Sequence, residues 1–552
     1  MTSSVEADAR VVPAGSVVAL GRGDFTGSVR LLLLALRRDR VRIVVWSLAV
    51  AVLVGVSSSS VSSIYGTRAE QLEYGRLIRG NAAMVIQSGP GYGLDDPTVG
   101  AILMNESAIW TILLVAILGI TGTVRHTRLE EETARAELVR SAPVGRHAGS
   151  AAALLALLVT QSAVAVAVVA VLLAGGFGAA GAVAFGSALV AAGMSFSAAA
   201  LVAAQLAASS RAATGMAMGA LGVAFVTRAY GDVSAPWSSW LSPIHWSQAV
   251  RPFAGERWVV LVVPVAFTVT LLAVATLLSE HRDFGGGLLA HRPGRAEASR
   301  HLTSPLALAA RLHRGAVTGW AIGAATVGFF FGVIAEEAEQ MVADNPEVAD
   351  LLAQAGGGSV TDSYLASGLL FVGLIAGGFV VAAVLRMRAE ESTGRVDPLL
   401  ATPTGRLDWA FSHLIVAMAS MVGLMVAGGI AEGIGAALVL GDASYVVSMA
   451  AAGATMSAGV AVLGGVAFAL CAGAPRAAPA AWGVMVAAAA LGVLGQALDL
   501  PMWARNLSPF QHVPRLPAAS FDLLPVAILV AITGALVTVG ALALPRRDVG
   551  RS

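Results

Sequence analysis

The side chains best placed to do chemistry in this 552-residue chain stand in two copies of one charged loop. Arg128, Glu130, Glu131, Thr133, Arg135, Pro143, Gly145 and Arg146 recur 260 positions later, without a gap, as Arg388, Glu390, Glu391, Thr393, Arg395, Pro403, Gly405 and Arg406. Glu131 precedes Arg135 by four residues, as Glu391 precedes Arg395, which on a helix is the favourable order for an ion pair. Pro-x-Gly-Arg then stops each helix. Loops of this kind are equipped to dock rather than to break bonds. All 35 basic residues are arginine, so the phosphate-binding loop that needs a lysine has no candidate, and any nucleotide chemistry falls to another chain. Nine histidines without HExxH spacing and one cysteine, Cys471, supply no metal set, no disulfide and no nucleophile, so no catalytic residue is expected.

A second group of residues is polar or aromatic where its surroundings are apolar, the usual pointer to a pathway through a membrane. Ser57 and Ser60 lie in a hydroxyl-rich run from Ser57 to Ser63. Gln161, Gln205 and His413 stand alone, and Phe329, Phe330 and Phe331 are consecutive. Each also has a plain packing reading: serines bond back to their own helix, and a lone Gln or His makes one interhelical bond. Glu106 and Glu432 read as lying at outer span ends, leaving span centres without carboxylates. Gly215/Gly219 and Gly373/Gly377 have the spacing of close helix contacts. Leu-Ser-Pro recurs at 241–243 and 507–509. With Trp246 it makes Pro243 and Pro509 candidates for an external gate, against the simpler reading of Trp237, Trp240, Trp246 and Trp503 as interfacial anchors.

The elements that must carry these residues are membrane spans. The chain is 57% hydrophobic and 12% charged, outside the range of a soluble globular domain. A helix needs about 20 apolar residues to cross. Such runs occur near 43–64, 107–124, 148–174, 179–208, 212–227 and 258–279, then near 317–335, 365–385, 410–431, 445–472, 477–496 and 523–544. The predicted fold is therefore all-α and polytopic, with about twelve transmembrane helices as two tandem six-helix halves in parallel orientation. With both termini inside, the inner segments collect 27 of the 35 arginines but only 16 of the 34 acidic residues, as the positive-inside rule demands. Residues 1–42 form a cytoplasmic N-terminus with an amphipathic helix over Leu31 to Arg42, expected along the inner membrane surface. The first half is 43–279. A linker, 280–316, holds Gly285-Gly286-Gly287, His291 and a second amphipathic stretch, Leu306 to Arg314. The second half is 317–544 and the tail 545–552. No apolar h-region precedes residue 28, so no cleaved signal is expected.

Two six-span halves, a basic amphipathic stretch before each and a Glu-rich inner loop ending in Pro-x-Gly-Arg resemble the permeases of type-2 ATP-binding-cassette exporters. The likeness is greatest to the double-length actinobacterial exporters of polyketide antibiotics and drugs, of the tetronasin type. It spans nearly the whole chain. It implies that Glu131, Arg135, Pro143, Gly145 and Arg146, with Glu391, Arg395, Pro403, Gly405 and Arg406, are coupling elements for two copies of a soluble ATPase. That partner would carry ATP and magnesium while this chain carries neither. It also implies short re-entrant helices at the external gate, an amphipathic drug-like substrate, residence in the bacterial inner membrane and no nucleic-acid partner. Pro398 departs from the first copy, which has Leu138, and is expected to shorten the second coupling helix. The alternative is a proton-coupled secondary drug transporter of six-plus-six architecture, whose spans would carry carboxylates for the proton. An intramembrane enzyme would need a metal cluster or a nucleophile and base that the spans lack.

Overall fold

The structure is a computed structural model that describes residues 22–78, 82–133, 135–283, 285–289, 297, 300, 302–336, 359–494 and 500–546. The chain divides into two compact units, Met1–Gly294 and Arg295–Ser552. His291 and most of the linker lie outside the described residues, as do residues 1–21 and the end of the tail.

In the first unit α1 (Ser28–Ile64) is followed by two short helices, α2 (Arg68–Ile78) and α3 (Ala82–Ser88), and then by α4 (Val99–His126). The charged loop forms α5 (Arg128–Glu132) and α6 (Arg135–Arg140). Beyond it come α7 (Ala148–Ala174), α8 (Ala179–Leu206), α9 (Ser210–Val233), the short α10 (Pro236–Ser239) and α11 (Pro243–Ala249), and α12 (Val262–Glu280). The second unit contains α13 (Pro305–Val333), α14 (Val360–Ser392), α15 (Asp397–Leu400), α16 (Arg406–Leu440), α17 (Ser444–Gly473), α18 (Ala480–Leu494), α19 (Met502–Arg505) and α20 (Leu523–Ala543).

Among the described residues, eleven helices are long and apolar enough to cross a membrane. The twelfth expected span, 477–496, appears as α18, whose 15 residues rise about 22 Å. Residues 495–499 lie outside the description. The protein is a multi-pass, all-helical membrane protein.

The two basic stretches are not separate surface helices. Leu31 to Arg42 is the first third of α1, an unbroken 37-residue helix, and Leu306 to Arg314 opens α13. At 1.5 Å per residue α1 is about 55 Å long, well beyond a hydrocarbon core of about 30 Å, so its basic turns extend out of the apolar zone. Asp39 is the buried charge that joins those turns to the rest of the unit: it meets Arg125 at 2.8 Å and His126 at 2.6 Å at the end of α4.

Small residues bring the spans together. A Cβ at Gly119 would lie 2.5 Å from the Gly193 carbonyl oxygen, so α4 and α8 touch backbone to backbone. Gly328 stands in the same relation to Gly428 across α13 and α16, at 2.3 Å. Of the two predicted glycine pairs, Gly377 packs under Met485, whereas Gly215 and Gly219 face open space. An apolar chain with 62 glycines offers that spacing more often than it uses it.

Candidate functional site: the two repeated loops

In the first loop the helix breaks after Glu132, so Glu131 and Arg135 occupy different helices and do not pair. Glu131 instead bridges two other arginines, Arg128 at 2.6 Å within α5 and Arg282 at 2.6 Å beyond the end of α12. Arg128 is only 1% exposed, and its guanidinium also donates to the Gly285 carbonyl at 3.2 Å. The neighbouring acids are engaged in the same way. Glu130 pairs with Arg38 of α1 at 2.9 Å, and Glu132 accepts the Ser210 amide at the start of α9 at 2.8 Å. Three consecutive glutamates thus tie α5 to three different elements.

Gly285 to Leu289, predicted as linker, belong to this assembly. The Leu288 and Leu289 amides donate to the Gln205 and Leu206 carbonyls at the end of α8, and a Cβ at Gly287 would strike the Ala207 backbone at 2.5 Å. The Pro143-to-Arg146 turn is anchored too. The Gly145 amide donates to the Thr26 carbonyl at 2.9 Å, and Arg146 donates to the Ser279 carbonyl at 3.0 Å. Beneath the loop lies a cavity of 580 Å³ bordered by Arg38, Arg128, Glu131, Arg146 and Arg282. What remains outward is α6 and the turn after it: Arg135, Glu137 and Pro143 are exposed, and Leu138 is 77% exposed.

The second loop differs. Here α14 runs on through Arg388, Glu390 and Glu391 to Ser392, and Gly394, with φ of +68°, turns the chain. Arg395 lies after that turn, so the expected pair with Glu391 is again absent. Arg395 reaches Glu390 at 3.9 Å, and Arg388 reaches Glu391 at 3.7 Å. Pro398 sits in the first turn of α15, which lasts four residues where α6 has six. Gly405 caps α16, its amide donating to Asp408 at 3.3 Å; Pro403, Arg395 and Arg406 are exposed.

The pathway candidates divide. Serines of the first span bond within α1, Ser58 donating to the Gly55 carbonyl and Ser63 to that of Ser60, both at 2.8 Å; Ser57 and Ser60 are half-buried. Gln161 is a packing bridge, donating from α7 to the Val115 carbonyl of α4 at 2.9 Å. His413 is not isolated, since its Nδ1 lies 3.1 Å from Nε2 of His313. Phe331 stacks on Phe371 with centroids 5.2 Å apart, whereas Phe329 and Phe330 contact each other edge-on at 6.4 Å.

The repeated Leu-Ser-Pro has one shared geometry. Ser242 donates to the Ala224 carbonyl of α9 at 2.6 Å and Ser508 to the Ala488 carbonyl of α18 at 2.9 Å, each pinning a short helix to the fifth span of its unit. Pro243 starts α11 and Pro509 starts a 3₁₀ turn. Trp246 is buried, its indole donating to the Trp240 carbonyl at 2.7 Å, which is a packing role and not that of an exposed anchor.

Sequence reasoning passed over three charged residues, Asp39 and Arg228, which are buried, and Arg282, which is half-buried. Asp39 looked like one more charge in a basic stretch, and Arg282 stands 151 residues from its partner. Arg228 is fully buried, donates to the Ile86 carbonyl and lies over the Phe225 ring. An arginine inside an apolar run was the available signal for Arg228.

Two comparisons relate the chain to known proteins, one over its second half and one over its full length. Residues 302–544 match the family model described as "Multidrug efflux system permease Rv1217c, C-terminal domain". Over 552 residues, all of both chains, the sequence is 38% identical to "Multidrug efflux system permease protein Rv1217c" of Mycobacterium tuberculosis (strain ATCC 25618 / H37Rv).

Proposed function

The chain belongs to the family of multidrug efflux system permeases, and on that premise we propose that it is the membrane subunit of an ATP-driven exporter of the type-2 class. In this reading it moves amphipathic drug-like molecules outward while two copies of a soluble ATPase dock on the two repeated loops. Both loops and both termini face the cytoplasm, and ATP and magnesium stay with the partner. The observation that carries the proposal is the exposed helix α6, which holds an apolar side chain, Leu138, outward on the same six-residue helix as the exposed Arg135 and Glu137, on a loop braced from behind by Glu130, Glu131 and Glu132. A rigid stem with an apolar knob and flanking charges suits insertion into a partner's cleft.

That geometry moves the docking role from Glu131 to α6. Reversing Glu131 would unsettle the loop itself, and so would not separate docking from folding. Leu138→Glu and Arg135→Glu alter only exposed atoms. At equal membrane abundance both are expected to reduce ethidium efflux and co-purification of the ATPase chain, and the purified permease alone to hydrolyse no ATP. Wild-type efflux and co-purification in both variants would end the docking assignment.

The secondary-transport reading has one observation in its favour, a carboxyl inside the second unit. Glu432 lies eight residues short of the end of α16, not at its edge, and is fully buried.

A further inference from the structure

Glu106 and Glu432 are both carried by span helices, and their surroundings differ. Glu106 of α4 accepts a hydrogen bond from the Tyr74 phenol, which in turn accepts from the Asn105 amide at 2.8 Å. Burial, reinforced by Glu106, holds the Tyr74 phenol well above its ordinary pKa, so it stays a donor. Glu432 has no such arrangement. It is 0% exposed, and among the described residues neither carboxyl oxygen has a hydrogen-bond partner. Among the described residues, the stretches that pack around it, 315–336, 360–385, 414–440 and 444–473, contain neither arginine nor histidine. Within those stretches the other titratable groups are Glu336 after α13, Asp362 and Tyr364 on α14, and Tyr445 and Cys471 on α17, which are acids, phenols and a thiol; the arginines and histidines of α13, α14 and α16 lie at the opposite ends of those helices.

The space around this carboxyl exists because three residues have no side chain. Gly328 and Gly332 of α13 lie against the Cβ and backbone of Glu432. A Cβ at Gly368 of α14 would sit 2.3 Å from Oε1 of Glu432 and 2.8 Å from Cβ of Phe331, so the carboxyl and this phenylalanine face each other across the bare α-carbon. The Phe331 ring stacks on Phe371, with planes 20° apart, and lies 5.9 Å from the Tyr364 ring. Phe371 is 40% exposed at the outer surface of this group.

A bare carboxylate cannot rest in such a medium; it holds either a proton or a cation. A packing role would not call for a carboxyl here, since an apolar residue of similar size would fill the space without the desolvation cost. Aromatic faces next to it attract organic cations through the ring quadrupole. We propose that Glu432, with Phe331, Tyr364 and Phe371, is a recognition site for lipophilic organic cations, reached when α13 and α14 part.

Occupation is an exchange. The carboxylic O–H bond breaks, the proton leaves to solvent, and the carboxylate takes the cation's charge, so the site stays neutral throughout. The proposal rests on the drug-export reading, yet its test needs no ATPase, so its failure would leave ATP-driven export standing.

The experiment uses the full chain purified in detergent without any partner, with tetraphenylphosphonium as the cation and Nile red as a neutral lipophilic control. Saturable tetraphenylphosphonium binding with release of about one proton per cation, read with a pH indicator in weak buffer, is expected from the exchange. Glu432→Gln keeps the shape and removes the charge. It should weaken cation binding about tenfold to a hundredfold, abolish proton release and leave Nile red binding unchanged. Cation binding by Glu432→Gln at wild-type affinity would overturn the proposal. So would wild-type protein that binds no tetraphenylphosphonium, or binds it without releasing a proton, and neither of those results depends on a variant folding.

Discussion

The two loops share eight residues at one register, yet their glutamates do different work. In the first unit Glu130, Glu131 and Glu132 reach out to α1, to the end of α12 and to the start of α9. In the second, Glu390 and Glu391 meet Arg386, Arg388 and Arg395, all within α14 and the turn that follows. Two substitutions account for much of the difference. Position 392 is a serine where the first copy has Glu132, and Pro398 replaces Leu138. The first change leaves no carboxylate at that position, and the second starts a new, shorter helix and takes away the exposed apolar knob. A duplicated motif has thus become a brace in one copy and a shorter turn in the other, and the charged residues that drew the eye in the sequence are largely the brace.

Neutralising the brace should give the largest effect. Glu131→Gln leaves Arg128 and Arg282 without their shared counter-charge, and with Arg128 buried the cost should be about 3 kcal/mol, in the range found on breaking a buried pair. Thermal unfolding in detergent reads it as a clear drop in midpoint. The matching probe of the second loop, Arg395→Ala, removes an ion pair at 3.9 Å from a side chain 66% exposed and should cost less than about 1 kcal/mol. Equal effects at the two positions would break the comparison.

Next in size is the Pro-x-Gly-Arg turn. An alanine at 145 would place its Cβ 2.3 Å from the Asp24 backbone, so Gly145→Ala must push the segment around residue 24 away, at about 1–3 kcal/mol. It should also speed protease cleavage near that segment. Gly405 has an ordinary φ of −70°, and its nearest neighbour is the movable Asp408 carboxylate at 2.8 Å, so Gly405→Ala should cost less than about 1 kcal/mol.

The smallest expected effect marks where the units do agree. Ser242→Ala and Ser508→Ala each remove one buried hydroxyl bond to a span carbonyl, so each should lower stability by about 1 kcal/mol. If only one of them does, the repeated Leu-Ser-Pro is not a shared fastening.

These contrasts show how far the residue string reaches. Period, length and apolarity of the runs are local properties, which is why the all-α, multi-pass architecture and most span positions were legible. The exact repeat of the loop was legible for the same reason, and so was a shorter second helix around Pro398, which stands in the first turn of the four-residue α15. The Glu131–Arg135 pair was inferred from helical spacing and failed because the helix breaks at Thr133, a local event without a strong breaker in the sequence. Its true partner, Arg282, is 151 residues distant, and no local rule selects it among 35 arginines.

Membership of a bilayer, and the lack of any lysine for a phosphate loop, were settled by the amino-acid sequence alone, since both follow from composition and from what single residue types can do. Which charges face outward was decided only by tertiary structure. Glu131 and Glu432 are equally plain glutamates in the sequence. One is bound between two guanidiniums and the other faces a bare glycine, because burial and pairing are set by whichever helices happen to pack beside them.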